Sequence, residues 1–239
     1  MNVSPDHDSG EPKGAYRDLA TRASSAAALV AITLTLTAIS PWTFAALVIS
    51  GALILAWEWE KLRNEKPGGT VFLIHSASVV IACGAALFGE THYAAIALFL
   101  GAIIAATTAG SLSNRAWAAG GILYLGLAMI ILIALRNDQA FGLWAVLFLF
   151  LIVWSADSAA YFSGRTFAGP KLAPSISPGK TWSGFLGGLI VPAFLAYFYA
   201  LLLDFGNPLI LALVSIALAI ASQAGDLAES AIKRNFGAK

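Results

Sequence analysis

Three things are scarce in this 239-residue chain, and each scarcity removes a class of protein. Charged residues make up only 11%, less than half of the roughly 25% found in soluble domains, which excludes a water-solvated globule. A single cysteine, Cys83, leaves no internal disulfide to staple a small secreted fold. The three histidines, His7, His75 and His92, have no metal-ligand spacing, so they and Cys83 are assigned structural or neutral roles. A secretory signal is missing too, because residues 1–22 are polar and carry Asp6, Asp8, Glu11 and Asp18 beside Lys13, Arg17 and Arg22. We read them as a polar cytoplasmic tail that is mobile or lies at the membrane surface.

What remains is apolar. Hydrophobic residues reach 59% and the mean hydropathy is +0.78, so the natural solvent is a bilayer, whose core takes about 20 apolar residues per helix. On that ruler the chain divides into eight spans, approximately 23–40, 42–59, 70–88, 92–110, 117–135, 140–162, 184–203 and 207–225. Pro41, Pro67-Gly68-Gly69 and Gly206-Asn207-Pro208 punctuate them. The expectation is an all-α, polytopic integral membrane helical bundle of about eight transmembrane helices, with 23–239 as one domain. Thirteen of the fourteen Lys and Arg residues then fall on one side of the membrane, and Arg136 alone on the other. By the positive-inside rule the rich side is cytoplasmic, and so are both termini. Gly184-x-x-x-Gly188 and Gly101-x-x-x-Ala105 are candidate seams where helices approach closely.

The chemistry concentrates in Trp154 to Gly184. An aspartate inside a membrane helix costs roughly 2.5 to 3.5 kcal/mol on insertion scales, so Asp157 is expected to face a polar cavity; the bland reading puts it in the headgroup layer, merely solvated. Trp154, Asp157 and Tyr161 share one helix face. A second acidic stretch, Gly225 to Arg234, puts Asp226, Glu229 and Lys233 on one stripe, with Ser222 a turn earlier, on the same side as Asp157. Two acids on separate helices beside several cations suit Mg²⁺, which usually takes one or two carboxylates plus substrate phosphates. Between them, Ser175 to Thr181 offers hydroxyls, backbone N–H groups and the Lys180 ammonium to phosphate oxygens. It is not a Walker A loop, since Pro174 stands where that motif needs its first glycine. Glu58 and Glu60 could line a headgroup site, but the preferred reading is solvated charges in an aromatic belt with Trp57 and Trp59.

At these residues the chain resembles the phosphatidate cytidylyltransferases, or CDP-diacylglycerol synthases. The matching segments are Trp154 to Arg165, Lys171 to Trp182 and Gly225 to Arg234, about the C-terminal third. Ala168-Gly169-Pro170 departs from a usual Gly-Lys pair, and Ser183 from a common acid. The family pattern continues beyond Lys239 with an Asp that the resemblance makes a metal ligand, so a chain ending there is expected to be impaired.

The resemblance implies transfer of CMP from CTP to phosphatidic acid, giving CDP-diacylglycerol and pyrophosphate. It implies Asp157, Lys180, Asp226 and Lys233 as catalytic residues, with Asp157 and Asp226 holding Mg²⁺ and room for a second metal ion. Arg165, Lys171, Ser177, Thr181, Glu229 and Arg234 would bind substrate. The expected partners are CTP, phosphatidic acid and membrane lipids, without nucleic acid; a homodimer stays open. The expected location is the bacterial inner membrane with a cytoplasmic site. A CTP-dependent polyprenol or lipid-alcohol kinase is the nearest alternative, and a secondary transporter a remoter one.

Overall fold

The computed structural model describes residues 13–63 and 68–237, with side chains at Thr21 and from Ala23 onward. The expectations for residues 1–12, Lys66, Pro67 and Lys239, and for the side chains of Lys13, Arg17 and Arg22, lie outside the described residues. Eight helices follow in order: α1 (Lys13–Ile39), α2 (Pro41–Leu62), α3 (Thr70–Leu87), α4 (Thr91–Thr108), α5 (Leu112–Asn137), α6 (Gly142–Phe167), α7 (Trp182–Leu203) and α8 (Pro208–Asn235). α2 to α8 are each long and apolar enough to span a bilayer, while the apolar part of α1, Ala23–Ile39, is shorter. Their outward faces carry large apolar side chains such as Leu202, Phe88 and Leu213, which only a lipid solvent tolerates in such number.

The boundaries follow from local chemistry. Ser40 caps α2 and exchanges hydrogen bonds with Thr43 in a capping box, with Pro41 at the first helical position, where its missing N–H costs nothing. Asn207-Pro208 opens α8 in the same way. Asp204, in the left-handed region, ends α7, and Gly206 with φ +83° completes the turn.

The helices sort into two lobes. α2 to α5 enclose a core built on Phe44, Leu98, Ile122 and Ile133, whereas α6 to α8 pack around Phe148, Ile152, Ala156, Ala196 and Ala219. Contacts between helix termini show which ends lie together. Arg63 at the end of α2 donates to the Asn114 carbonyl at the start of α5, and Phe236 after α8 stacks edge-on with Trp117 of α5. Arg136 at the end of α5 instead reaches the Thr37 carbonyl of α1. Eight of the nine Lys and Arg side chains described thus gather at one end, and Arg136 lies at the other.

Two findings depart from the sequence reading. Glu60 is not solvated: it is 1% exposed, paired with buried Arg63 at 2.6 Å, and 3.7 Å from the Nδ1 of buried His75. Only Glu58 stays in the outer layer, paired with Lys61, whose ammonium lies over the Trp57 ring. The Pro/Gly/Ser stretch is also not an irregular loop. It forms an antiparallel hairpin of β1 (Lys171–Ala173) and β2 (Ser177–Thr181), paired Lys171 to Thr181 and Ala173 to Ser177.

The glycine seams are tight. A methyl on Gly184 would meet the Ala160 carbonyl oxygen at 2.8 Å, and one on Gly188 the Ala156 carbonyl at 3.1 Å, so α6 and α7 touch backbone to backbone. Gly101 likewise leaves no room beside Ser78 of α3. Where α6 ends, Ala168 takes φ +49°, a region costly to any residue with a Cβ.

Two outcomes follow for thermal unfolding in detergent. Gly184→Val wedges α6 from α7 and is expected to destabilise the protein by about 1–3 kcal/mol. Ala168→Gly relieves the strained turn and is expected to stabilise it by up to about 1 kcal/mol; no gain in midpoint would argue against strain there.

Candidate active site

The last three turns of α6, the hairpin, the start of α7 and the middle of α8 surround a cavity of about 780 Å³. The α6–α7 seam sets its geometry. Thr181 ends β2 and caps α7, its Oγ1 accepting from the Gly184 N–H at 3.1 Å, just where Gly164 of α6 leaves room for it. Ser183 donates to the Ala168 carbonyl, tying the end of α6 to the start of α7. With both ends of the hairpin fixed, Lys180 reaches across the cavity to α8, and its ammonium lies 2.8 Å from Asp226 Oδ2.

Asp157 lines this cavity from α6 and is exposed there. Arg165 and Lys171 line the same space, and the Arg165 guanidinium donates to the Tyr161 hydroxyl at 3.1 Å. The cavity thus presents two carboxylates and three cations. Such a balance holds a polyanion well, provided that something positive offsets the two acids.

Six of the ten residues singled out from sequence meet here: Asp157, Arg165, Lys171, Lys180, Thr181 and Asp226. The other four lie outside the cavity. Ser177 sits in the strand ladder opposite Ala173. Glu229 and Lys233 form an ion pair with each other one turn beyond Asp226. Arg234 donates through Nε to the Ile176 carbonyl, so it fastens α8 to the tip of the hairpin. Trp154, on the Asp157 face, stacks on Phe150 instead of lining the cavity.

Sequence reasoning missed Gln223. It is 4% exposed, lines the cavity, and its amide approaches the Phe185 carbonyl at 3.4 Å. The signal existed, because Gln223 lies three residues before Asp226 and shares its face; Ser222, four residues before, does not line the cavity.

Among the described residues no group of three His, Cys, Asp or Glu converges as a metal cage. The pair Asp157 and Asp226, hard oxygen donors on one cavity, fits a Mg²⁺ ion that draws its other ligands from water and substrate phosphates.

The model of the family described as "Cytidylyltransferase family" matches residues 20–239. The phosphatidate cytidylyltransferases of Brucella suis and Brucella melitensis are each 37% identical over 228 residues, covering 93% of this chain and 82% of theirs. That of Haemophilus influenzae is 42% identical over 111 residues, 43% of this chain and 38% of its own. With a match that spans nearly the whole bundle, the chain belongs to the cytidylyltransferase family.

Proposed function

We propose that this chain is a CTP:phosphatidate cytidylyltransferase, acting at the cytoplasmic face of a bacterial cell membrane. The observation that carries the reading is the cavity at the cation-rich end of the bundle. There Asp157 and Asp226, from two helices, face Lys180, Arg165 and Lys171. The cation asymmetry supports a cytoplasmic orientation for that end. The Brucella relatives are named for the same activity.

In the reaction a phosphate oxygen of phosphatidate forms a bond to the α-phosphorus of CTP while the bond to the bridging oxygen of the β-phosphate breaks. CDP-diacylglycerol and pyrophosphate result. A phosphate monoester, with a second pKa of roughly 6, is largely dianionic near neutrality, so no strong general base is needed. The residues instead supply position and positive charge. Lys180, set by the hairpin, is placed to follow the negative charge that grows on the leaving pyrophosphate, and a triphosphate in the cavity competes with Asp226 for its ammonium. Arg165 and Lys171 neutralise the remaining phosphate oxygens at the mouth, with Tyr161 steadying the Arg165 guanidinium. Asp157 and Asp226 would hold Mg²⁺, which when bound neutralises phosphate charge and polarises the phosphoryl group. Glu229, Lys233 and Arg234 serve α8 and the hairpin, so their part is to position Asp226.

Three outcomes test this with the membrane-embedded enzyme. Asp226→Asn is expected to lower pyrophosphate release from CTP plus phosphatidate at least 100-fold, and Lys180→Gln by on the order of 10² to 10³. Near-normal rates in both variants would remove the cavity from the reaction. Chelation of divalent ions should abolish turnover, and added Mg²⁺ restore it. With CTP labelled in the cytidine ring, the label should appear on lipid; label staying in CDP while phosphate moves to lipid would indicate a lipid kinase instead.

A further inference from the structure

A second cavity, of about 390 Å³, lies where α5 ends and α6 begins. Along α6, Gly142 is fifteen residues from Asp157, or about 22 Å at the helical rise, so this cavity opens at the other end of the bundle. It is organised around Arg136, the one Lys or Arg side chain found at that end among the described residues.

Arg136 is 8% exposed. Its Nε donates to the Thr37 carbonyl in the last turn of α1 at 2.9 Å, which satisfies a carbonyl left open by the helix end. A guanidinium has five N–H donors, and among the described residues no second acceptor takes the others. The acid lining the same cavity, Asp138, does not form an ion pair with it. Asp138 Oδ1 accepts instead from the N–H groups of Ala140 and Phe141, at 3.0 and 2.8 Å. The remaining N–H groups are not sealed from solvent; they open where an anion can reach them.

More donors face the same space. Phe141 begins α6 without a side-chain cap, so the N–H groups of Leu143 and Trp144, both at the cavity wall, have no acceptor among the described residues. They form the positive end of a 26-residue helix. The wall is rigid as well, because a Cβ on Gly142 would lie 2.5 Å from the Arg136 carbonyl oxygen. Trp144 on the wall is 42% exposed, and Trp42 and Phe141, each next in sequence to a lining residue, are 59% and 62% exposed, as suits the membrane–water interface.

We infer that this cavity binds the headgroup phosphate of a phospholipid in the leaflet opposite the catalytic cavity. Arg136 and the start of α6 hold the phosphate, the exposed Gln139 amide lies at its edge, and the acyl chains run along the apolar outer face. The bound lipid then bridges α1, α5 and α6 at the place where the Arg136 side chain already joins α5 to α1.

The test is thermal unfolding of the purified full chain in an uncharged detergent during titration with dioleoyl phosphatidylglycerol. Separate arms use dioleoylglycerol, which has the tails without the phosphate, and inorganic phosphate, which has no tails. A saturable rise in midpoint is expected with the phospholipid alone. Arg136→Gln and Gln139→Glu should each weaken its apparent affinity at least tenfold. If Arg136→Gln is too unstable to purify, Gln139→Glu decides, since it leaves the Thr37 bond intact and adds only a repelling carboxylate. Unchanged affinity in Gln139→Glu, or an equal rise with dioleoylglycerol, would overturn the site. An equal rise with inorganic phosphate would overturn its assignment to a lipid.

Discussion

The close approach of α6 to α7 is the contact on which the catalytic end depends. Helices in a bilayer gain little from hiding apolar surface, because the lipid is equally apolar, so packing must come from fit. Gly184 and Gly188 provide it by letting the α7 backbone lie on the carbonyls of Ala160 and Ala156. Thr181 caps α7 at that same contact. The hairpin has to leave the seam from a fixed point and return to it, and this is what places Lys180 opposite Asp226.

The Lys180–Asp226 pair itself contributes little to stability. Its side chains are 26% and 47% exposed, and ion pairs that open to water are typically weak. Its value is positional, since it holds an ammonium and a carboxylate at the spot where phosphate charge would be handled. The contrast with Glu60 and Arg63 is instructive. That pair is fully enclosed, its loss would strand a buried charge, and it secures the join between α2 and α5 outside the cavity.

Most of the architecture was legible because a bilayer imposes a simple ruler. The spans were found by length and polarity, and the breaks at Pro41 and Asn207-Pro208 had plain capping chemistry. Errors gathered where helices outrun the hydrocarbon: α5 starts at Leu112 and α8 runs to Asn235, since polar residues continue a helix in the headgroup layer as readily as they end it. The hairpin was hidden because β2 contains Pro178 and Gly179, both disfavoured in strands, and pairing there is imposed by the flanking helix ends. The depth of Glu60 was hidden for a related reason. Its burial depends on His75 and Arg63 closing around it, and Arg63 in turn is held by the Asn114 carbonyl, contacts that no local pattern announces.

The site residues left outside the cavity explain how the two lobes are held in register. Arg234 fixes the end of α8 to the hairpin tip at Ile176. Two residues on, Phe236 packs at 4.9 Å against Trp117 of α5, whose carbonyl accepts the Trp59 indole N–H at 3.0 Å. Trp59 precedes Glu60, so a continuous run of packed and hydrogen-bonded groups leads from the buried ion pair of the first lobe to the helix that carries Asp226. The first lobe shares no residue with the cavity, yet through Phe236 it touches the end of the helix that carries Asp226.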